Sequence, residues 1–245
     1  MKTDRTGSLK NALLSPGANE SNAVLDIGCG KGEYTFTIAQ KVKSAIGIDP
    51  DEKLVRFARQ NYKCQNISFQ VGRGESLDFS SNSFDTVVFC QSLHHVPLKF
   101  QSKALNEAWK VLKAHGMLLL IEPIYRKGSL EEIECLYNDE KEARQGARNA
   151  IDSVINDKFI LGLKKEIRIE ETCNGFGDLF QNSIQQKPYV KWVDSLKNEV
   201  VKILDKCEKT SKRHSGEYRN PIISIRSGCR IKSGITVVGL FTSSS

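Results

Sequence analysis

Three glycines at alternate positions, Gly28, Gly30 and Gly32, stand between two carboxylates, Asp26 and Asp49, in this chain of 245 residues. Glycine suits a backbone that turns with positive φ or comes close to a ligand. A strand that empties through such a turn into a helix leaves amide N–H groups unpaired and facing outwards. That is a nucleotide site in outline. Asp49 follows Gly28 by twenty-one residues, close to the interval at which an acid in dinucleotide-binding βαβ units accepts hydrogen bonds from ribose hydroxyls. Further along, His94-His95 follows an apolar run ending at Cys90, and Glu122 ends another. An imidazole is suited to act as general base toward a hydroxyl or amine at neutral pH. The alternative is structural: one histidine packs beneath the next helix and the other caps it. Glu122 either faces a substrate or serves as a capping or ion-paired acid.

The elements that must position these groups are legible as runs of hydrophobicity. Ala23–Ile27, Ser44–Ile48, Ile67–Val71, Ser83–Cys90 and Met117–Ile121 read as strands. Between them Glu33–Val42, Asp51–Tyr62 and Phe100–Ala114 read as helices. The first has Phe36, Ile38 and Ala39 toward the sheet, the second Leu54, Val55 and Ala58, and His115-Gly116 ends the third with Gly116 as a left-handed cap. Alternating strands and helices make a parallel sheet covered on both faces. In such sheets ligands bind outside the carboxyl ends of the strands. The glycine turn, Asp49, the loop Gly72–Phe79, His94, His95 and Glu122 all belong to that rim.

Asp26-x-Gly28-x-Gly30-x-Gly32, Asp49-Pro50, Gly72-Arg73-Gly74-Glu75-Ser76-Leu77-Asp78-Phe79, Phe84-Asp85 and Leu93-His94-His95 resemble, in order, the motifs of class I S-adenosylmethionine-dependent methyltransferases. The resemblance is to the type 11 methyltransferase domain and its ubiquinone- and menaquinone-pathway group, and it covers about half of the chain. It implies a Rossmann-like, doubly wound seven-stranded α/β sheet, mostly parallel with an antiparallel last strand, and a helical insertion before that strand. It also implies S-adenosyl-L-methionine as cofactor, held by Asp26, Gly28, Cys29, Gly30, Gly32, Asp49, Pro50, Gly74, Glu75 and Cys90, with His94, His95 and Glu122 as the catalytic candidates. Three positions depart from the family's adenine loop: Arg73 replaces an acid, Gly74 an alanine and Asp78 a proline. Arginine has no acceptor for an adenine amino group, so the backbone of Gly74 and Glu75 is expected to serve there.

Composition bounds the rest. Net charge is +7, from 36 basic and 29 acidic side chains, which permits an anionic partner without requiring one. Seven cysteines without a C-x-x-C pair suggest reduced thiols in a cytoplasmic protein, with no metal site. No apolar stretch is long enough for a signal peptide or a membrane span. Expected boundaries are an N-terminal segment 1–22, a cofactor-binding core 23–124, a mainly helical substrate-side insertion 125–220 and terminal strands 221–245. Within the insertion, Ser129-Leu130-Glu131-Glu132 opens a helix running toward Phe159 with a break near Gly146, and Tyr189–Cys207 forms another. Lys165–Glu171 and Ile222–Ile231 compete as sixth strand, and Gly234–Thr242 is the seventh. Lys202–Lys232 carries nine basic residues against three acidic ones. That stretch is either a solvated surface or a patch for RNA phosphates. The expected partner is a small-molecule methyl acceptor, with RNA methylation and a non-catalytic cofactor-binding protein as alternatives. The glycine spacing counts against a nicotinamide oxidoreductase of related topology.

Overall fold

Short apolar runs bounded by turn residues become the inner strands of a single sheet. The computed structural model describes residues 13–14, 22–124, 140–155, 157–173, 198–199, 201–202 and 229–242. Its strands are β1 (Ala23–Ile27), β2 (Ser44–Asp49), β3 (Ile67–Val71), β4 (Phe84–Cys90), β5 (Leu112–Pro123), β6 (Phe159–Cys173) and β7 (Cys229–Thr242). They lie in the order β3-β2-β1-β4-β5-β7-β6. The first five pair in parallel, and β7 runs antiparallel to both neighbours. This is the mostly parallel, doubly wound sheet that the motifs imply.

Among the described residues, four helices cover it: α1 (Glu33–Ala39), α2 (Glu52–Asn61), α3 (Gln101–Val111) and α4 (Lys141–Val154). Alternation along the strands sorts them onto two faces. Leu25, Ile27, Val87, Phe89, Leu118 and Leu120 point to one face and pack with Ala104, Leu105 and Ala108 of α3 and Ala147, Ala150 and Ile151 of α4. Asp26 and Phe69 point to the other, where Thr35 of α1 and Val55 and Ala58 of α2 meet them. Chain contacts divide into two compact units. One comprises Gly7–Glu122, Glu142–Ile167 and Ile235–Ser245, and the other Met1–Thr6, Pro123–Lys141 and Arg168–Gly234. The groups of the site all belong to the first.

Strand register sets the rim. Ile27 pairs with Ile48 and Asp49 with Val71, so Gly28, Asp49 and Gly72 leave the sheet near one another. Cys90 pairs with Ile121, so Gln91 and Glu122 emerge together.

Several boundaries differ from the sequence expectation, each for a local reason. α1 stops at Ala39 rather than Val42, because the side-chain amide of Asn66 donates to the carbonyls of Ala39 and Val42 at 2.7 and 3.0 Å. Its buried residues are Thr35, Ile38 and Ala39; Phe36 instead lies against the Tyr62 ring, centroids 4.8 Å apart. α2 is shorter by one residue at each end, with Asp51 as N-cap accepting from Lys53 N at 2.8 Å. α3 ends at Val111, where Ser83 N takes the Val111 carbonyl and Leu112 pairs with Phe84. β5 thus starts five residues early and carries an irregularity before Met117. The left-handed residue there is His115 (φ 60), not Gly116; a Cβ at Gly116 would lie 2.8 Å from the Lys113 carbonyl oxygen.

α4 runs unbroken through Gly146, where a Cβ would lie 2.0 Å from Leu98 Cδ1, and Phe159 opens β6 instead of ending a helix. The sixth strand is the segment containing Lys165–Glu171, so the interval 125–220 contributes a strand to the sheet. The Ser129–Glu132 start, most of Tyr189–Cys207, most of the competing segment Ile222–Ile231 and most of the basic stretch Lys202–Lys232 lie outside the described residues.

Candidate functional site

The glycine turn is built by hydrogen bonds from three directions. Gly28 N and Cys29 N both donate to the Ile48 carbonyl, at 2.8 and 2.9 Å, and Gly32 N donates to the Cys29 carbonyl at 2.9 Å. All three glycines have positive φ: 78° at Gly28, 54° at Gly30 and 87° at Gly32. Two also sit where no side chain fits. A Cβ at Gly28 would stand 2.5 Å from Ser92 Cβ, and one at Gly32 would stand 2.8 Å from Ala58 Cβ and the Phe69 ring. Gly30 differs: a Cβ there meets nothing within 4 Å, so this point of the turn faces open space.

Asp49 ties the turn to the next helix. Its Oδ2 accepts from Gly30 N at 2.9 Å and its Oδ1 from Asp51 N at 2.9 Å. A carboxylate has about four lone-pair positions, so these two bonds leave acceptor capacity on the side that lines the cleft. Asp26 is buried beneath the turn. Thr35 Oγ1 donates to its Oδ2 at 2.6 Å, while Oδ1 has no protein hydrogen-bond partner. Burial pushes the Asp26 carboxyl up from 3.8 to about 6; the Thr35 hydrogen bond offsets part of this and the Asp49 charge adds to it. Such an orphaned, buried acceptor is costly unless a polar group or water reaches it.

A cleft of about 280 Å³ opens at this rim. Ile27, Gly28, Asp49, Pro50 and Leu54 form one side, Gly72, Arg73, Gly74 and Glu75 the next, and Ser92, His95, Val96 and Pro97 the last. Of the residues expected to hold a cofactor, Gly28, Asp49, Pro50, Gly74 and Glu75 line the cleft. Asp26, Cys29, Gly30, Gly32 and Cys90 do not. Cys29 packs with Val55, Ala58 and Phe69, and burial beside Asp26 and Asp49 raises its thiol pKa. Burial likewise holds the Cys90 thiol well above its usual value, with Asp26 and Glu122 adding to the effect.

Arg73 extends to solvent, its side chain 67% exposed, with Nη1 3.8 Å from Glu75 Oε1; the Glu75 side chain is only 12% exposed. Gly74 rests on the sheet, where a Cβ would come within 3.0 Å of Ile27 Cγ2.

The three catalytic candidates separate. His94 and Glu122 form a buried pair, His94 Nδ1 to Glu122 Oε2, while Glu122 Oε1 accepts from Leu93 N at 2.9 Å. Neither lines the cleft. His95 does, with an exposed side chain, its ring centroid 4.1 Å from that of His94. Sequence reasoning missed Ser92, whose Oγ donates to the Ile27 carbonyl at 2.6 Å and fastens the turn after β4 to the end of β1. It also missed Thr35, a polar residue on the buried side of α1. A serine after a strand and a threonine in a helix carry no signal of these partners.

The donor set fits an S-adenosyl cofactor. The unpartnered Asp26 oxygen beneath the turn suits its ammonium group, directly or through water. The open side of Gly30 and the free capacity of Asp49 suit its remaining polar groups.

Residues 25–120 match the family described as a methyltransferase domain. An uncharacterised methyltransferase of Bacillus subtilis, YcgJ, is 35% identical over 102 residues, 40% of each chain. A ubiquinone/menaquinone biosynthesis C-methyltransferase of Hydrogenovibrio crunogenus is 30% identical over 120 residues, 46% of each chain. The matched region thus spans less than half the length of either relative. The crystal structure of the Bacillus subtilis YcgJ protein superposes with a TM-score of 0.66 at 17% identity, covering 97% of this chain and 99% of that one. That likeness is one of fold.

Proposed function

We propose, from the premise that residues 25–120 form a class I S-adenosylmethionine-dependent methyltransferase domain, that the protein transfers a methyl group to a small-molecule acceptor. The observation that carries this reading is the glycine turn. Its three glycines have positive φ, Gly30 N donates to Asp49, and the turn lies over a buried, half-unpaired Asp26 at the edge of the cleft.

The cofactor would bring a methyl on a sulfonium, open to in-line displacement by an acceptor oxygen, nitrogen or carbon. Asp26 and the turn would hold its amino-acid end, Asp49 its ribose, and the backbone of Gly74 and Glu75 its base. Leu54, Val96 and Pro97 give the cleft an apolar lining, which would limit water around a bound donor and acceptor. Methyl transfer is assisted mainly by holding donor and acceptor in line and by such desolvation. His95, which lines the cleft, would take a proton from an acceptor hydroxyl or amine. The free thiols Cys29, Cys64 and Cys90 support a reducing, cytoplasmic setting for this chemistry. Among the described residues no helix is long and apolar enough to cross a membrane.

The test is incubation with S-adenosylmethionine carrying an isotopically labelled methyl group and a pool of small hydroxylated, amino and quinol compounds, read by mass spectrometry. Label in a small molecule together with S-adenosylhomocysteine release supports the reading. Label recovered only in added RNA overturns the small-molecule acceptor.

A further inference from the structure

Where β4 and β5 end, the chain spends its polar groups on holding one turn still. Gln91 adopts positive φ (53°), and its N–H donates to the Ile121 carbonyl at 2.7 Å. Ser92 Oγ reaches the Ile27 carbonyl, and His95 N donates to the Ser92 carbonyl at 3.1 Å. Glu122 supplies the remaining restraints: one carboxylate oxygen takes the Leu93 amide and the other faces His94 Nδ1, all three groups being buried. An ionised carboxylate only accepts, so the His94 nitrogen that faces it carries the hydrogen. Both oxygens of Glu122 are thereby engaged, and neither Glu122 nor His94 reaches the cleft wall. The next residue, His95, does reach it.

We propose that Glu122 and His94 are positioning residues that clamp the Ser92–His95 turn, and that His95 alone of the three meets the acceptor. The proposal rests on the methyl-transfer reading and assigns roles within it. It gives Glu122 no direct part, because both its oxygens are engaged in buried hydrogen bonds, and it sets His94 behind the cleft wall that His95 lines, its ring centroid 4.1 Å from that of His95.

The experiment compares the full chain with His95→Ala, His94→Asn, His94→Leu and Glu122→Gln, using an acceptor found in the labelled-methyl screen. S-adenosylhomocysteine affinity is measured by calorimetry beside kcat. Asparagine places an amide donor near the position of the His94 Nδ1, so it keeps the clamp while removing any base.

His95→Ala is expected to lower kcat by about 100-fold or more, in the range of a lost general base, with S-adenosylhomocysteine affinity little changed. His94→Asn is expected to recover most of the kcat that His94→Leu loses. Equal damage from His94→Asn and His95→Ala, or full kcat in His95→Ala, overturns the assignment. A wild-type chain that binds S-adenosylhomocysteine but transfers no methyl defeats the functional reading instead. In that event imidazole 15N spectra decide the clamp. Hydrogen on His94 Nδ1, altered in Glu122→Gln and unaltered in His95→Ala, supports it; a His94 ring protonated only at Nε2 refutes it.

Discussion

Replacing Gly30 with alanine separates what the glycine turn costs to fold from what it does for a ligand. At Gly30 the backbone has φ 54°, inside the left-handed region, and an added Cβ meets no protein atom within 4 Å. The penalty to folding is then the left-handed strain alone, about 1–2 kcal/mol. For a domain of this size that lowers Tm by roughly 2–8 °C. Gly28→Ala suffers the same strain (φ 78°) and also a Cβ 2.5 Å from Ser92 Cβ. Displacing Ser92 endangers its bond to the Ile27 carbonyl, and overpacking of this kind adds about 1–3 kcal/mol. The total of about 2–5 kcal/mol lowers Tm by roughly 4–20 °C. Binding should show a different balance. If the room beside Gly30 is ligand space, the alanine methyl there collides with the cofactor. S-adenosylhomocysteine affinity then falls at least tenfold, about 1.4 kcal/mol, in a protein that has lost little stability. Scanning calorimetry and isothermal titration on the two variants give both quantities. Unchanged S-adenosylhomocysteine affinity in a folded Gly30→Ala protein refutes the reasoning.

The buried Asp26 makes stability depend on pH in a definite direction. Its folded pKa of about 6 lies above the ordinary 3.8. Between these values the folded chain holds more protons than the unfolded one, so this group's contribution falls as pH rises from about 4 to 6. The loss is on the order of 3 kcal/mol, and Asp26→Asn removes it. The Tm difference, Asp26→Asn minus wild type, is expected to grow across that window and then level off; a difference independent of pH contradicts the account. Asn66→Ala deprives the Ala39 and Val42 carbonyls of their donor, costing about 1–3 kcal/mol. It lies at the opposite end of the strands from the cleft, so calorimetry should find S-adenosylhomocysteine affinity unaltered. Asp49→Asn keeps only one acceptor for the two amides of Gly30 and Asp51. It should therefore lower Tm and cofactor affinity together, and a loss of only one of them is the contrary result.

The half of the chain that carries the motifs was legible because its strands are short apolar runs closed by turn residues. β1 and β3 fall on the residues the sequence marks, and β2 runs one residue further, to Asp49. The misplaced boundaries come from side-chain and backbone partners far away in sequence. Asn66 cuts α1 short from twenty-seven positions away, and pairing of Leu112 with Phe84 draws the end of an amphipathic pattern into β5. Thr35 looks like an outward polar residue until Asp26 is seen behind it. β6 was only partly visible because Ile160, Leu161 and Leu163 are all exposed, which erases the alternation that betrays a half-buried strand. At the site, residue types announced the turn and Asp49. The division between a buried His94 and a cleft-facing His95 could not be read from two adjacent identical residues. It follows from Glu122, twenty-eight positions on, claiming one of them.

The central claim is that this cleft takes an S-adenosyl cofactor, and direct titration tests it most plainly. Purified chain titrated with S-adenosylhomocysteine, and separately with NAD, is expected to show saturable binding of the first and none of the second. Asp49→Ala should weaken the first at least tenfold. No heat from S-adenosylhomocysteine up to millimolar concentration, or equal affinity in Asp49→Ala, contradicts it.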